Sequence, residues 1–293
     1  VQTAAMLNLP RPKQDGEKPT IRNAPATEEL KAFVQSLAER AERLKTQRVD
    51  PSQDNMLKIT SEGRKAALDL RLMRPAAPDD PQGKVNLAVE NIHRIWQAIT
   101  TERSAQPVFC ELSAPKDRGF SVYRDMAEKL ERLGISTKEV AFVQDFDSDA
   151  SKLSLFRDVR SGKIRVLFGS KQKMGSGTNV QERLIALHHL DAPWRPADVE
   201  QREGRILRQG NKNAGVSVSR LPASAHSANR DPPLPQRRKS AASHMTVGRR
   251  KHNLHRQAQL QSTPCKQWRS FRKLAKIWPS TIPGFQKGSL LEV

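Results

Sequence analysis

The 293-residue chain carries 51 Lys and Arg against 31 Asp and Glu, a net charge of +20, and is long enough for one large or two small domains with a full core. Its two cysteines, Cys110 and Cys265, stand far apart, which excludes a disulfide framework and a cysteine metal site and points to a reducing, cytoplasmic setting. No apolar run is long enough for a transmembrane helix, and the basic balance taken by itself favours nucleic acid or an anionic membrane surface as partner, or is an accident of the tail.

The charge is uneven: after Asn211 there are 16 Lys and Arg against 2 Asp and Glu. Residues 1–26 are rich in Pro, Lys and Asp without an apolar period and read as a linker. A helical segment is expected over 27–82. Leu30, Val34, Leu37, Ala41 and Leu44 recur at helical spacing, as an amphipathic helix that packs on the domain or meets a partner. The charge-dense stretch from Asp54 to Leu72 reads as solvated loop and short helix. Pro75 to Pro81 is a turn-rich break.

From 83 to 220 helix and strand patterns alternate. Val85, Val89, Ile92, Ile95, Trp96 and Ile99 form a core-facing stripe. Strands are expected at Val108–Leu112, Val140–Val143, Ile164–Phe168 and Leu184–Leu190. Helices are marked by Tyr123, Met126, Ala127, Leu130 and Leu133, by Leu153, Phe156 and Val159, and by Asp198 to Leu207. Such alternation predicts an α/β lobe, a parallel sheet between helices with ligands at the carboxyl ends of its strands. His188 and His189 end one strand, one facing each side of the sheet, and without a third ligand they predict no metal site.

The stretch from Gly169 to Asn211 carries the chemistry. A Gly-rich loop, Met174-Gly175-Ser176-Gly177-Thr178-Asn179, follows a strand. Trp194-Arg195-Pro196 then leads into a helix with Gln201, Gly204, Arg205 and Arg208. Arg205 and Arg208 are three apart and share a face on a helix, and Gly204 is expected to keep that face uncrowded. Paired guanidinium groups suit a polyphosphate, because each is always charged and donates in a planar fork. A surface ion pair with Glu200 or Glu203 is the plainer role for either arginine alone.

The order G-x-G-x-N (Gly175, Gly177, Asn179), Trp-x-Pro (Trp194, Pro196) and Q-x-x-G-R-x-x-R-x-G (Gln201, Gly204, Arg205, Arg208, Gly210) resembles the last motifs of superfamily 2 helicases and translocases. The closest likeness is to the chromatin-remodeller-like branch. With the string DNMLKITSEGRKAALDLRL it looks like the very large helicase–adenine-methylase proteins of bacterial plasmids and phages. The resemblance spans about Pro25 to Asn211 and implies a single C-terminal RecA-like lobe. It implies Arg205 and Arg208 as arginine fingers, Gln201 as a nucleotide- or water-positioning residue, and Gly175, Gly177, Thr178 and Asn179 as a loop contacting nucleotide or nucleic acid. Lys58, Arg64, Lys65 and Lys173 are then candidate DNA phosphate contacts, and Trp194 is expected to pack beneath the arginine helix. ATP with Mg2+ is the implied cofactor, and DNA and an N-terminal helicase lobe are the implied partners. The strand at Gln106–Ser113 departs from the pattern at Cys110-Glu111, so neither receives a role.

No G-x-x-x-x-G-K-[ST] loop and no Asp-Glu-x-His strand end occurs, so the chain alone is expected not to hydrolyse ATP. It begins in mid-pattern at Val1, as a piece of something longer would. After Asn211 family character stops. Val216 and Val218 offer one more strand, and residues 221–293 then form a basic, low-order tail. An out-of-frame translation, or a disordered nucleic-acid-binding extension, accounts for that composition. The rival functional readings are a non-enzymatic basic nucleic-acid-binding protein and a decayed gene fragment.

Overall fold

Strands β1 (Lys13–Gln14), β2 (Thr20–Ile21), β3 (Gln106–Phe109), β4 (Val140–Phe142), β5 (Val166–Gly169), β6 (Ala186–His189) and β7 (Gly215–Arg220) run in the order β1–β7–β6–β3–β5–β4, with β2 also on β7. Every pairing is parallel. The computed structural model describes residues 11–16, 19–47, 49–113, 119–174, 180–193 and 195–221. All lie in the unit Val1–Ser224, and the unit Ala225–Val293 falls outside the described residues. The Gly loop residues Gly175, Gly177, Thr178 and Asn179, together with Trp194 and the basic tail, also fall outside them.

Helices α1 (Glu28–Thr46), α2 (Met56–Leu68), α3 (Lys84–Ala98), α4 (Val122–Arg132), α5 (Asp149–Ser161) and α6 (Pro196–Ile206) complete the lobe. Alternate strand residues face opposite sides. One core joins Val108, Cys110, Val166 and Phe168 to Val85, Ile92, Tyr123, Met126 and Leu130, so α3 and α4 cover that face. The other joins Phe109, Leu167, Leu187, Val216 and Val218 to Phe156, Val159 and Ile206, so α5 and α6 cover the opposite face. The expected α/β lobe with a parallel sheet between helices is what the chain forms.

Four details differ from expectation. Residues 11–22, read as part of a linker, supply β1 and β2 on the outer edge of β7. Asp15 N–H donates to Val216 O at 2.7 Å and Arg22 N–H to Arg220 O at 3.2 Å. Backbone groups hold this edge, and backbone pairing leaves no apolar period to read. A Cβ at Gly215 would meet the Asp15 carboxylate.

The charge-dense stretch read as solvated loop and short helix is largely the 13-residue α2, capped by Asn55, whose Oδ1 accepts from Lys58 N–H. Ile59, Ala66 and Leu68 are buried. Its charges are consumed internally. Arg40 on α1 holds Asp54 through two 2.8 Å bonds and Glu62 through one of 2.5 Å. Arg71 joins Asp69, Asp79 and Asp125, and Lys129 on α4 joins Asp79 and Asp125, which fastens the helical segment to the sheet-bearing part. On α1 the buried residues are Phe33, Leu37 and Ala41, so Phe33 takes the place expected for Val34. On α5 the expected marker Leu153 is 64% exposed, because Leu155 and Phe156 face the sheet instead.

Candidate functional site

Parallel strands end together, and the residues just past β3, β5 and β6 meet α6. Asp191, following β6, is buried. Its Oδ2 accepts from the backbone N–H of Glu111 and of Leu112, just past β3. Arg202 on α6 is fully buried and donates to Asp191 Oδ1 at 3.2 Å and Asp191 O at 3.3 Å. It also donates to Glu111 Oε1 at 2.9 Å, and its guanidinium lies 5.1 Å from the centre of the Phe109 ring. Glu111 Oε1 accepts as well from Lys171 N–H, past β5, and Lys171 Nζ donates to Asp198 Oδ1 on α6. One network thus ties three strand ends to one helix.

A charge this deep persists only when paired and hydrogen-bonded. Buried charge at a sheet's carboxyl edge was the missing signal. Asp191 closes a strand and Arg202 adjoins Gln201, but no single-residue pattern marks either as buried. Glu111, given no role from the sequence, is the shared acceptor.

The arginine helix begins with Pro196 in its first turn and ends at Ile206. Asn211 stops it, since its Nδ2 donates to Ile206 O and to Leu184 O, and Gly210 follows the end with φ +85°. Arg208 therefore lies past the last helical turn and not on the helix face expected for it. It remains close enough to Arg205 for the two charges to repel. Burial first, and then Arg208, pull the half-buried Arg205 below the usual guanidinium value. Arg205 also walls a small apolar cavity with Phe109, Phe156, Met174, Val180 and Leu184. Gln201, one turn before Arg205, is exposed. Glu203, the rival ion-pair partner, bonds Arg220 at 2.7 Å and stands 3.2 Å from His189 Nε2.

Among the described residues Gly204 relieves no crowding, because a Cβ there meets none of their atoms within 4 Å. A glycine inside a helix costs about 0.5–1 kcal/mol relative to alanine. Gly204→Ala is therefore expected to stabilise the chain by about that amount, measured by urea unfolding. An unchanged or lowered midpoint would show that space at Gly204 is used.

The expected phosphate contacts scatter. Lys58 is exposed and donates to Gln53 O. Lys65 is half-buried on α2. Lys173, just past β5, pairs with Asp147 at 3.2 Å. Arg64 turns inward and donates to Ala192 O at 2.9 Å, with Asp191 and Glu111 nearby. It links α2 to the loop after β6. Lys84, at the start of α3, is buried near Asp191 and Cys110, and burial pulls its ammonium down to about 8 while pushing the Cys110 thiol up to about 12.

The two histidines face opposite sides of the sheet and are both buried. His188 Nε2 lies 2.9 Å from Gln106 Oε1 and its Nδ1 3.5 Å from Asn91 Nδ2. Burial, then His189, pull His188 down to about 3. A depressed histidine contributes stability that is present above the ordinary value near 6.5 and is lost as pH falls toward the folded value. Melting temperature should therefore drop on acidification from about pH 6.5, with His188 contributing up to about 1.4 kcal/mol per pH unit. His188→Gln should flatten that limb in thermal melts, and an unaltered slope would assign the acid sensitivity elsewhere.

No family model matches the chain. "Defense against restriction protein B" of Escherichia phage P1 is 36% identical over 61 residues, which is 21% of this chain and 3% of that protein. The ATPase core of Sulfolobus solfataricus SWI2/SNF2, solved with double-stranded DNA, is 15% identical at a TM-score of 0.48, over 69% of this chain and 40% of that one. The C-terminal part of the Fun30 ATPase domain is also 15% identical, at a TM-score of 0.45, over 73% of this chain and 86% of that one. Other similar structures are the DUF1998 helicase MrfA and the Pyrococcus furiosus Hef helicase domain, at 14% and 17% identity and TM-scores of 0.35 and 0.33. The chain spans a small part of the phage protein and less than half of the archaeal core, and identity at this level says nothing of activity. Among the described residues no helix is long and apolar enough to cross a membrane.

Proposed function

We propose that this chain is the C-terminal lobe of an ATP-dependent DNA helicase or translocase motor. The observation that carries the reading is the placing of the half-buried Arg205 near the end of α6 with Arg208 just beyond it, close enough for their charges to repel, within the Q-x-x-G-R-x-x-R-x-G pattern. Two cations held close at a cost to each other suit a polyanion. Arg205 and Arg208 would act as arginine fingers on the transferring phosphoryl group, and Gln201 would position the nucleotide or the attacking water. The loop of Gly175, Gly177, Thr178 and Asn179 would meet nucleic acid or nucleotide. ATP with Mg2+ would supply the phosphoryl group, held mainly by a first lobe with a phosphate-binding loop and an acidic strand end, neither of which this sequence contains. The chain alone would therefore bind DNA in a salt-sensitive way and turn over no ATP.

Adding a first lobe tests the reading: joint ATP turnover stimulated by DNA supports it, and turnover by the pure chain overturns it. The rival, a basic nucleic-acid-binding protein whose effector is the tail, predicts a different loss. A chain cut after Leu221 should keep most DNA affinity under the motor reading and lose it under the rival, in a titration with labelled oligonucleotide. The cut belongs there and not after Asn211, because β7 is part of the sheet.

A further inference from the structure

Arg202 fills a position that the Q-x-x-G-R pattern leaves unspecified, and Glu111 stands where the chain departs from the family. Both are nonetheless bound into the charge network that joins the strand ends to α6. The Arg202 side chain is 0% exposed and that of Asp191 2%, whereas Glu111 is one-third open at 33%. The buried pair fixes one face of α6 to the end of β6. The same face carries Ile206 into the core, and Arg205 follows Arg202 by less than one turn. Arg202 Nε is buried without an acceptor among the described residues, a penalty that simple packing of α6 would not require.

Glu111 makes the link that reaches beyond α6. Its single oxygen Oε1 takes both Arg202 Nη2 and the Lys171 amide, each at 2.9 Å. Lys171 opens the turn Ser170–Met174, where Lys173 lies and which precedes the Gly loop in sequence. Any shift of α6 that moves Arg202 changes the hydrogen bonding of that turn, and the reverse holds too. Lys171 Nζ on Asp198 closes the circuit at the start of α6.

We propose that Glu111 and Arg202 are positioning residues that couple the phosphate-directed Arg205 on α6, and Arg208 just beyond it, to the turn after β5. Occupancy of one by a polyphosphate then changes the affinity of the other for a phosphodiester strand. This rests on the reading of α6 as a phosphate-binding element. Coupling between sites is reciprocal and amounts to about 5–150-fold in typical cases.

The full chain is titrated with inorganic tripolyphosphate and with a short oligodeoxythymidine, each alone and each with the other saturating, at matched ionic strength. The unchanged chain is expected to show a change of about fivefold or more, equal in both directions. Arg202→Ala strands a buried carboxylate and is liable to unfold the lobe, so Glu111→Gln carries the test. It keeps the Arg202–Asp191 pair and a neutral acceptor at the same place. Glu111→Gln should leave each separate affinity and the thermal midpoint in place while the coupling factor falls to about one, a result that a purely structural Glu111 would not give. A factor of one in the unchanged chain, or a factor retained in Glu111→Gln, overturns the inference although both ligands bind. Tripolyphosphate binding that is absent, or indifferent to Arg205→Ala, removes the phosphate reading of α6 and the inference with it.

Discussion

With a first lobe supplied, Arg205→Ala together with Arg208→Ala should lower ATP turnover by about 10³-fold or more and leave DNA affinity and its salt dependence unchanged. The expectation follows from where the two groups stand. Arg205 is half-buried and desolvated beside an apolar wall, and Arg208 repels it from just past the helix end. Charge held near like charge and out of water gains most when an anion arrives, and more still when negative charge develops in a transition state. The check is steady-state ATP hydrolysis with saturating DNA, alongside an oligonucleotide titration at several salt concentrations. Equal losses in turnover and DNA affinity, with a smaller salt slope, would make these residues phosphodiester contacts and not arginine fingers.

The second large effect concerns stability. Asp191→Ala is expected to cost about 3–5 kcal/mol, because it leaves the buried Arg202 guanidinium with only the part-exposed Glu111 as counter-charge and also orphans the amides of Glu111 and Leu112. Whole domains are stable by only about 5–15 kcal/mol, so the variant should stand near the edge of unfolding at room temperature. Urea denaturation should show a lower midpoint at an unchanged slope. Arg202→Met combined with Asp191→Asn should recover much of the loss, since the buried charge is gone and an amide oxygen still meets the two backbone donors. If the single and double replacements are equally unstable, packing and not charge holds α6 in place.

What could be read in the sequence was what depends on repetition. The stripe Val85, Val89, Ile92 and Ile95 names its own buried face, and the apolar centres of β3, β5 and β6 stand out against polar turns. The residues that organise the strand ends do not repeat. Arg202 resembles any helix-surface arginine until Asp191, Glu111 and Phe109, distant in sequence, are brought around it. Arg64 appeared suited to solvent and phosphate, but the loop after β6 offers it the carbonyl of Ala192. Strands β1 and β2 were hidden for the opposite reason, being held through main-chain groups that every residue possesses. Helix α2 lay between these cases: its buried Ile59, Ala66 and Leu68 are real, but Lys, Arg and Glu between them mask the period. Asn211 determines where the arginine helix stops, by a side-chain bond that spacing alone does not reveal.

The outer edge of β7 has a consequence for how the lobe is made. Lys13 pairs with Gly215 and Thr20 with Ser219, so the earliest described strands close on the last. A nascent chain emerging from the ribosome can form the β3–β5–β4 ladder early, but the clip from residues 11–22 must wait until β7 has been synthesised, roughly 200 residues later. Until then β7's future neighbours lack the strand that joins them, and when β7 arrives its free edge is open to pairing with other chains. Closure by a segment synthesised long before β7 makes completion of the sheet and protection of its edge a single late event.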